Sequence, residues 1–225
     1  MNELQSVPGK CPPGLEYLLQ MDKILINQKM ELVEITLGFE TNNRYEITNK
    51  IGQQMYYAFE KSNLCCRLFC GLRRSFKIYI VDNFGTEVMC LKRPLRCDHC
   101  CCPCYLQKLE VQAPPGELIG YVVQKWHPCL PKFDIQDKNQ KVILRIYGPC
   151  CHSGCLPNYN FKIKTLHSSE VIGNIVKTWA GIVIEALTDA DKFEISFPMN
   201  LDVCIKAVLM GACFLIDYMY FENKV

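Results

Sequence analysis

Most of the chain has a two-residue period. In Phe76-Lys77-Ile78-Tyr79-Ile80 every second side chain is apolar, Asp82-Asn83-Phe84-Gly85 interrupts the run, and Glu87-Val88-Met89-Cys90-Leu91 answers it. Alternation broken by Asp, Asn and Gly predicts a β-hairpin. The same unit recurs. Leu106 to Val111 leads through Ala113-Pro114-Pro115-Gly116 into Leu118 to Val123, and Phe133-Asp134-Ile135 turns at Asp137-Lys138-Asn139 into Val142 to Ile146. Phe161-Lys162-Ile163 then returns through His167-Ser168-Ser169 to Val171 to Ile175, while Glu31 to Phe39, Arg44 to Ile47 and Gln54 to Phe59 add further candidate strands. The turn residues are those that tolerate tight backbone geometry. About a dozen short strands joined by turns too short for helical crossovers predict a mainly β, antiparallel meander, which removes its edges by closing into a barrel.

The period changes at the C-terminal end. Leu201 to Phe221 is apolar on every face of a helix, so that helix must be buried, in protein or in lipid. The apolar span between Lys206 and Asp217 is about ten residues, roughly 15 Å, against a hydrocarbon core of about 30 Å. Extending it to Phe221 places Asp217 in the bilayer at about 2.5–3.5 kcal/mol if central. A membrane span and a core helix both stay open. The second is favoured, because a helix down the middle of a barrel keeps Asp217 away from lipid. No Gly/Ser-rich or Pro-rich linker divides the chain, so the expected organisation is a flexible N-terminus over 1–10 and one domain over 11–225 that includes helix 201–221.

A net charge of +2 is too balanced for duplex nucleic acid to be expected as a main partner. Met1 to Ser6 has no basic stretch leading into an apolar one, so the 16 cysteines are expected to be mostly reduced and to face the cytosol. Eight residues, Cys97-Asp98-His99-Cys100-Cys101-Cys102-Pro103-Cys104, hold five of them. Zinc is one use for such a run, because Cys97/Cys100 and Cys101/Cys104 have knuckle spacing, but the two pairs abut. A site drawing on Cys150, Cys151, Cys155 or His152 stays open. Lipidation suits the flanks better: Lys92, Arg93 and Arg96 precede the run, and Arg67, Arg73, Arg74 and Lys77 form a second basic group. Several acyl chains beside a basic patch hold a protein stably at an anionic leaflet.

Two further constellations carry candidate chemistry. Asp189 and Asp191 stand at positions 1 and 3 of a loop spaced like an EF-hand, with Phe193, Glu194 and Asn200 at positions 5, 6 and 12. Phe193 offers no side-chain oxygen, Glu194 replaces the usual glycine, and Asn200 brings one oxygen where a bidentate glutamate is normal. On spacing alone, two aspartates in a polar turn is the preferred reading, and any Ca²⁺ site is expected to be weak. The histidines His99, His127, His152 and His167 have neither a nucleophile elbow nor a Gly-rich phosphate loop beside them, so no enzyme is expected.

Several longer runs share a source. Pro12-Pro13-Gly14-Leu15-Glu16-Tyr17-Leu18, Arg93-Pro94-Leu95-Arg96-Cys97 through Cys104, Gln112-Ala113-Pro114-Pro115-Gly116, Trp126-His127-Pro128-Cys129-Leu130-Pro131-Lys132-Phe133, Thr188-Asp189-Ala190-Asp191, and Lys206-Ala207-Val208 with Gly211-Ala212-Cys213-Phe214-Leu215-Ile216-Asp217 resemble the phospholipid scramblase family from about Cys11 to Glu222. The resemblance implies a closed antiparallel Tubby-like β-barrel around a hydrophobic C-terminal helix. It also implies Ca²⁺-activated, ATP-independent, bidirectional scrambling of phospholipids at the inner leaflet of the plasma membrane, a non-enzymatic activity. Palmitoylation maps onto Cys100, Cys101, Cys102 and Cys104, the Ca²⁺ segment onto Asp189, Asp191, Phe193, Ile195, Phe197 and Asn200, and the membrane helix onto Lys206, Gly211 and Asp217. Tyr105, where relatives often have cysteine, implies fewer acyl sites, and Glu194 and Asn200 imply a blunted Ca²⁺ response. A nuclear import segment maps onto Gly173 to Trp179 and keeps only Lys177 basic, so a nuclear pool is not expected. The proline-rich extension of longer relatives is missing from this sequence, so SH3 and WW partners are not expected; homo-oligomers are. The alternative function is a palmitoylated, membrane-tethered binding or regulatory protein with weak or no scrambling of its own.

Overall fold

The computed structural model describes residues 11–29, 43–61, 74–96, 105–150, 158–166, 168, 170–178 and 192–222. Among these run twelve strands: β1 (Lys23–Lys29), β2 (Arg44–Asn49), β3 (Gln54–Lys61), β4 (Phe76–Asp82), β5 (Glu87–Arg93), β6 (Lys108–Gln112), β7 (Leu118–Gln124), β8 (Lys132–Asp137), β9 (Val142–Tyr147), β10 (Asn158–Thr165), β11 (Val171–Thr178) and β12 (Lys192–Ser196). Helix α1 (Val203–Tyr220) follows. Each strand pairs antiparallel with the next, and β12 returns to β1, with Lys23 opposite Ser196 and Asn27 opposite Lys192. Closure leaves no edge among these strands.

Five short hairpins, β2–β3, β4–β5, β6–β7, β8–β9 and β10–β11, turn at one end of the barrel, and each carries one register shift beside its turn. An extra residue at that point sharpens the local twist, which is what a sheet needs to curl shut. The turns repeat a local device. Asn49 Oδ1 accepts from the amides of Ile51 and Gln53, Asp82 Oδ1 from Phe84 and Thr86, and Asp137 Oδ1 from Asn139 and Lys141. Three residues after each lies a positive φ, at Gly52, Gly85 and Gln140. That is the three-residue loop whose last position is left-handed. The opposite end, here called the mouth, is where the described chain leaves and re-enters around residues 62–73, 97–104, 151–157 and 179–191.

Inward-facing residues alternate along the strands and form one core with α1. The helix is long and apolar enough to cross a bilayer, yet 15 of its 18 residues are buried within the barrel. Asp202 caps its N-terminus, accepting from the Ile205 amide at 3.1 Å. Gly120 on β7 opens the space that Val208 fills: a Cβ there would lie 2.7 Å from Val208 Cγ2.

Gly173 on β11 is tighter still, since its Cβ would stand 2.1 Å from the Ser196 carbonyl oxygen on β12. Backbone cannot step aside there without breaking the β11–β12 ladder. Gly173→Ala is expected to destabilise the barrel by about 1–3 kcal/mol or more, by the usual cost of overpacking. Thermal unfolding measures it, at about 2–4 °C per kcal/mol for a domain of this size.

Candidate functional site

Helix α1 carries two charged side chains through an apolar interior, and each is met at its own end of the barrel. At the hairpin end Lys206 is fully buried. Its Nζ donates to the carbonyls of Leu18 (2.9 Å), Met21 (2.8 Å) and Met199 (2.8 Å), with Leu19 O at 3.5 Å. Three of those acceptors, Leu18, Leu19 and Met21, lie on the 3₁₀ turn Glu16–Gln20 and the residue that ends it, so the N-terminal segment is tied to the helix. Burial lowers the Lys206 pKa, against the pull of Asp22 and Asp202. Further along, buried Asp217 accepts from the Tyr45 hydroxyl at 2.8 Å. Burial first, and Asp217 second, push the Tyr45 phenol well up.

The mouth is held by a polar clasp. Arg74 Nε and Nη2 donate to Glu60 at 3.1 and 3.3 Å, Nη1 donates to Glu222 at 2.8 Å, and Nη2 also donates to Glu222. The Tyr218 hydroxyl donates to Glu60 at 2.9 Å, and Asn43 Nδ2 reaches Glu222 at 2.9 Å and Glu60 at 3.2 Å. Two carboxylates thus share one guanidinium. Burial raises the Glu222 pKa, opposed by Arg74 and Asn43 and reinforced by Glu60. A carboxyl raised on folding contributes stability that is complete at acid pH and is lost as pH rises through its folded value. Urea midpoints are therefore expected to fall as pH climbs above the ordinary carboxylate range, and Glu222→Gln to flatten that slope.

The clasp corrects the grouping of basic residues. The sequence groups Arg74 and Arg93 with the leaflet-facing cations, yet both are buried: Arg74 in the clasp, Arg93 donating to Gln107 Oε1 at 2.9 Å. Only Lys77, Lys92 and Arg96 of the described members of those groups reach solvent. Nothing in the local sequence marks the difference, because Arg74 meets Glu222 at a separation of 148 residues.

Of the remaining expected site residues, Cys100, Cys101, Cys102, Cys104, Asp189 and Asp191 lie outside the described residues. Phe193 and Ile195 are on β12, pointing into the core, and Phe197 follows them inward. β12 is extended and paired on both sides, with β1 and β11, so its carbonyls serve the sheet. Asn200 is an exposed amide in the turn before α1. Of these four positions, Phe193, Ile195 and Phe197 give their side chains to the core, and only the Asn200 amide is exposed. Among the described residues no three His, Cys, Asp or Glu side chains gather as a metal site. Gly211 sits where α1 passes close to the wall, its Cβ position 3.0 Å from Val111 Cγ2 and 3.3 Å from Leu91 and Leu109. Lys177, the basic residue of the nuclear import segment, is buried with its Nζ 4.4 Å from the Phe221 ring centroid. His127 organises its own turn, its Nδ1 accepting from the amides of Cys129 and Leu130.

A closed antiparallel barrel of twelve described strands threaded by an apolar C-terminal helix has the Tubby-like architecture. The chain belongs to the scramblase family, whose model matches residues 1–223. It is 56% identical over 216 residues to phospholipid scramblase 1 of Homo sapiens, covering 96% of this chain and 68% of that protein. Against phospholipid scramblase 1 of Rattus norvegicus it is 54% identical, covering 96% and 64%. Phospholipid scramblase family member 5 of Homo sapiens is 52% identical, with coverage of 95% and 79%. The chain therefore spans about two thirds of the length of the scramblase 1 relatives. No solved structure matches it.

Proposed function

We propose that this chain scrambles phospholipids between leaflets in both directions, without ATP and in response to Ca²⁺, from the cytoplasmic face of the plasma membrane. Acyl chains on Cys100, Cys101, Cys102 and Cys104 hold it there. The observation that carries the reading is the family match along nearly the whole chain. Asp189 and Asp191 are the carboxylates this reading gives to Ca²⁺, and no step is drawn through the ion.

The barrel limits the mechanism. Extracting α1 to cross a bilayer would empty the barrel, uncovering the inward-facing strand residues that pack on the helix, and break the Lys206 and Asp217 contacts. At about 1.5–3 kcal/mol per large apolar side chain, that exceeds the 5–15 kcal/mol by which folded domains are stable. Leaving the barrel is unfolding. In this reading the helix stays inside and the protein acts by perturbing the leaflet on which it sits.

The test is lipid flipping by the purified chain in liposomes across a Ca²⁺ titration, with Asp189→Ala alongside. A second variant carries Val111→Cys and Gly211→Cys, positions close enough for a disulfide that pins α1 to the wall. Scrambling unchanged by oxidising that pair, and lost with Asp189→Ala, is the expected result. Scrambling abolished by the crosslink and restored by reduction would overturn the leaflet mechanism. One observation favours the second reading, a tethered binding protein: a helix locked within the barrel provides no polar path across a bilayer. Absence of flipping at all Ca²⁺ concentrations, with membrane binding in cells lost in a Cys100/Cys101/Cys102/Cys104→Ala variant, would select it.

A further inference from the structure

Three large apolar side chains stand out in water at the mouth. Leu95 is 48% exposed, Tyr105 49% and Trp126 58%. Single exposed apolar groups are ordinary on a protein surface, but these three share one stretch of rim. Leu95 and Tyr105 flank the cysteine run on the β5–β6 connection, and Trp126 lies on the β7–β8 connection. The Gln124 amide donates to the Gln107 carbonyl and the Gln107 amide to Gln124 Oε1, both at 2.9 Å, which carries the β6–β7 pairing to the edge of the mouth. Tyr105 and Trp126 each stand two residues beyond that pair. Gln107 Nε2 also donates to the Arg96 carbonyl at 2.9 Å, which draws in the residue after Leu95.

The rim is fixed by its own bonds. His127 Nδ1 accepts from the amides of Cys129 and Leu130 at 3.2 and 2.9 Å, and the Lys125 amide donates to the Lys132 carbonyl at 2.8 Å, so the turn that carries Trp126 is closed on itself. On the other connection Arg96 Nη1 donates to the Leu106 carbonyl at 3.1 Å, and its guanidinium lies 5.1 Å from the Tyr105 ring centroid. An indole held in water on a rigid turn is a standing cost unless something covers it.

The chemistry of the rim points to what covers it. Indole and phenol join an apolar ring to a polar tip, and such rings gather where hydrocarbon meets headgroups. Among the described residues of the two connections, 94–96, 105–107 and 125–131, the charged side chains are Arg96 and Lys125, with no carboxylate. Both are long enough to keep their charge among headgroups while their stems lie along apolar surface. The exposed tips at the hairpin end, Ile51 and Phe84, have no polar handle and share that end with exposed Glu87 and Glu117. The rim is also where the chain enters and leaves the cysteine run.

We propose that Leu95, Tyr105 and Trp126 form a wedge that seats the mouth of the barrel in the boundary between headgroups and acyl chains of a bilayer, with Arg96 and Lys125 among the headgroups. The inference rests on the reading of the chain as a protein of a lipid surface and adds which end of the barrel meets it. Acyl chains hold the protein near the bilayer; the rim sets its orientation.

The test takes the full chain purified without acylation and vesicles of phosphatidylcholine and phosphatidylserine in equal parts. Trp179→Phe leaves Trp126 as the single tryptophan, and Trp179→Tyr serves instead should the phenylalanine variant melt lower. On vesicles the Trp126 emission is expected to move to the blue, and to be quenched more by lipid brominated near the carbonyl end of the acyl chain than near its methyl end. Trp126→Ala with Tyr105→Ala is expected to weaken vesicle binding on the order of 10-fold, from the apolar surface the two rings no longer bury. Ile51→Ala with Phe84→Ala removes exposed apolar surface from the opposite end and should leave binding unchanged. All four side chains are exposed, so both double variants should melt with the parent; should the first melt lower, the bromine quenching decides, because it is read with the rim intact. No binding, or binding without quenching of Trp126, overturns the wedge and leaves the rim to a protein partner, the other surface that Trp, Tyr and Arg favour. Equal loss in the two double variants overturns it in favour of general apolar adhesion, and loss confined to the Ile51 and Phe84 variant turns the barrel the other way up. Lipid flipping does not enter these readouts, so the wedge can fail while scrambling stands, and the reverse.

Discussion

Arg74→Met is expected to destabilise the barrel by about 3–5 kcal/mol, the cost of leaving a buried charge without its partner. The side chains of Glu60 and Glu222 are 0% and 9% exposed, and Arg74 is the cation that bridges them. Without it two carboxylates face each other across the mouth, with Tyr218 and Asn43 still donating to them. The melting temperature should fall on the order of 10 °C, at about 2–4 °C per kcal/mol. The loss should shrink at acid pH, where protonation neutralises the orphaned pair. Adding Glu60→Gln and Glu222→Gln should recover most of it. Urea denaturation of the parent, Arg74→Met and the triple variant at neutral and acid pH checks this. A neutral-pH loss under 1 kcal/mol would mean that the clasp is solvated and does not hold the helix end.

Lys206→Met separates two views of α1, because they give it opposite signs. Inside the barrel the ammonium satisfies carbonyls of Leu18, Met21 and Met199, and a methionine of similar length leaves those acceptors bare. At about 1–3 kcal/mol for each buried group left without a partner, offset by no longer burying a charge, a net loss of about 3 kcal/mol is expected. In a helix that crosses a bilayer, the same change would favour insertion, by less than the about 2.5–3.5 kcal/mol of a central position because Lys206 lies in the first turn. Thermal unfolding of the lipid-free protein and membrane integration in cells are the paired readouts. Lower stability with unchanged integration is the expected outcome. Unchanged stability with increased integration would transfer the helix to the membrane.

The hairpins are legible because two local signals coincide, alternation along the strands and an Asx residue opening the turn; both are plain in Phe76 to Leu91 and Phe133 to Ile146. The two strands that close the barrel were missed. In β1, Ile24-Leu25-Ile26 is continuously apolar, which blurs the period although only Ile24 and Ile26 face inward. In β12 the alternation of Phe193 and Ile195 with Glu194 and Ser196 is clear, but the aspartates upstream drew attention to ligand spacing. The candidate strand from Glu31 to Phe39 lies outside the described residues. That α1 is buried follows from its apolarity on every face, and Asp217 is what favours the barrel over lipid as its surroundings. What makes its charges tolerable does not, since Lys206 and Asp217 find partners 188 and 172 residues away. Local pattern reports which way a side chain faces; it does not report what a buried charge will meet on the far side of a closed sheet.

The pairing of β1 with β12 also governs how the protein comes into being. Lys23 waits for Ser196, and the interior of the barrel waits for a helix that ends at Tyr220. During synthesis, hairpin after hairpin emerges with an apolar face that no earlier part of the chain can cover. Contacts between distant residues dominate, and the nascent chain is open to aggregation until α1 has left the ribosome. Chaperone capture of that half-finished meander would be a natural step of its biogenesis.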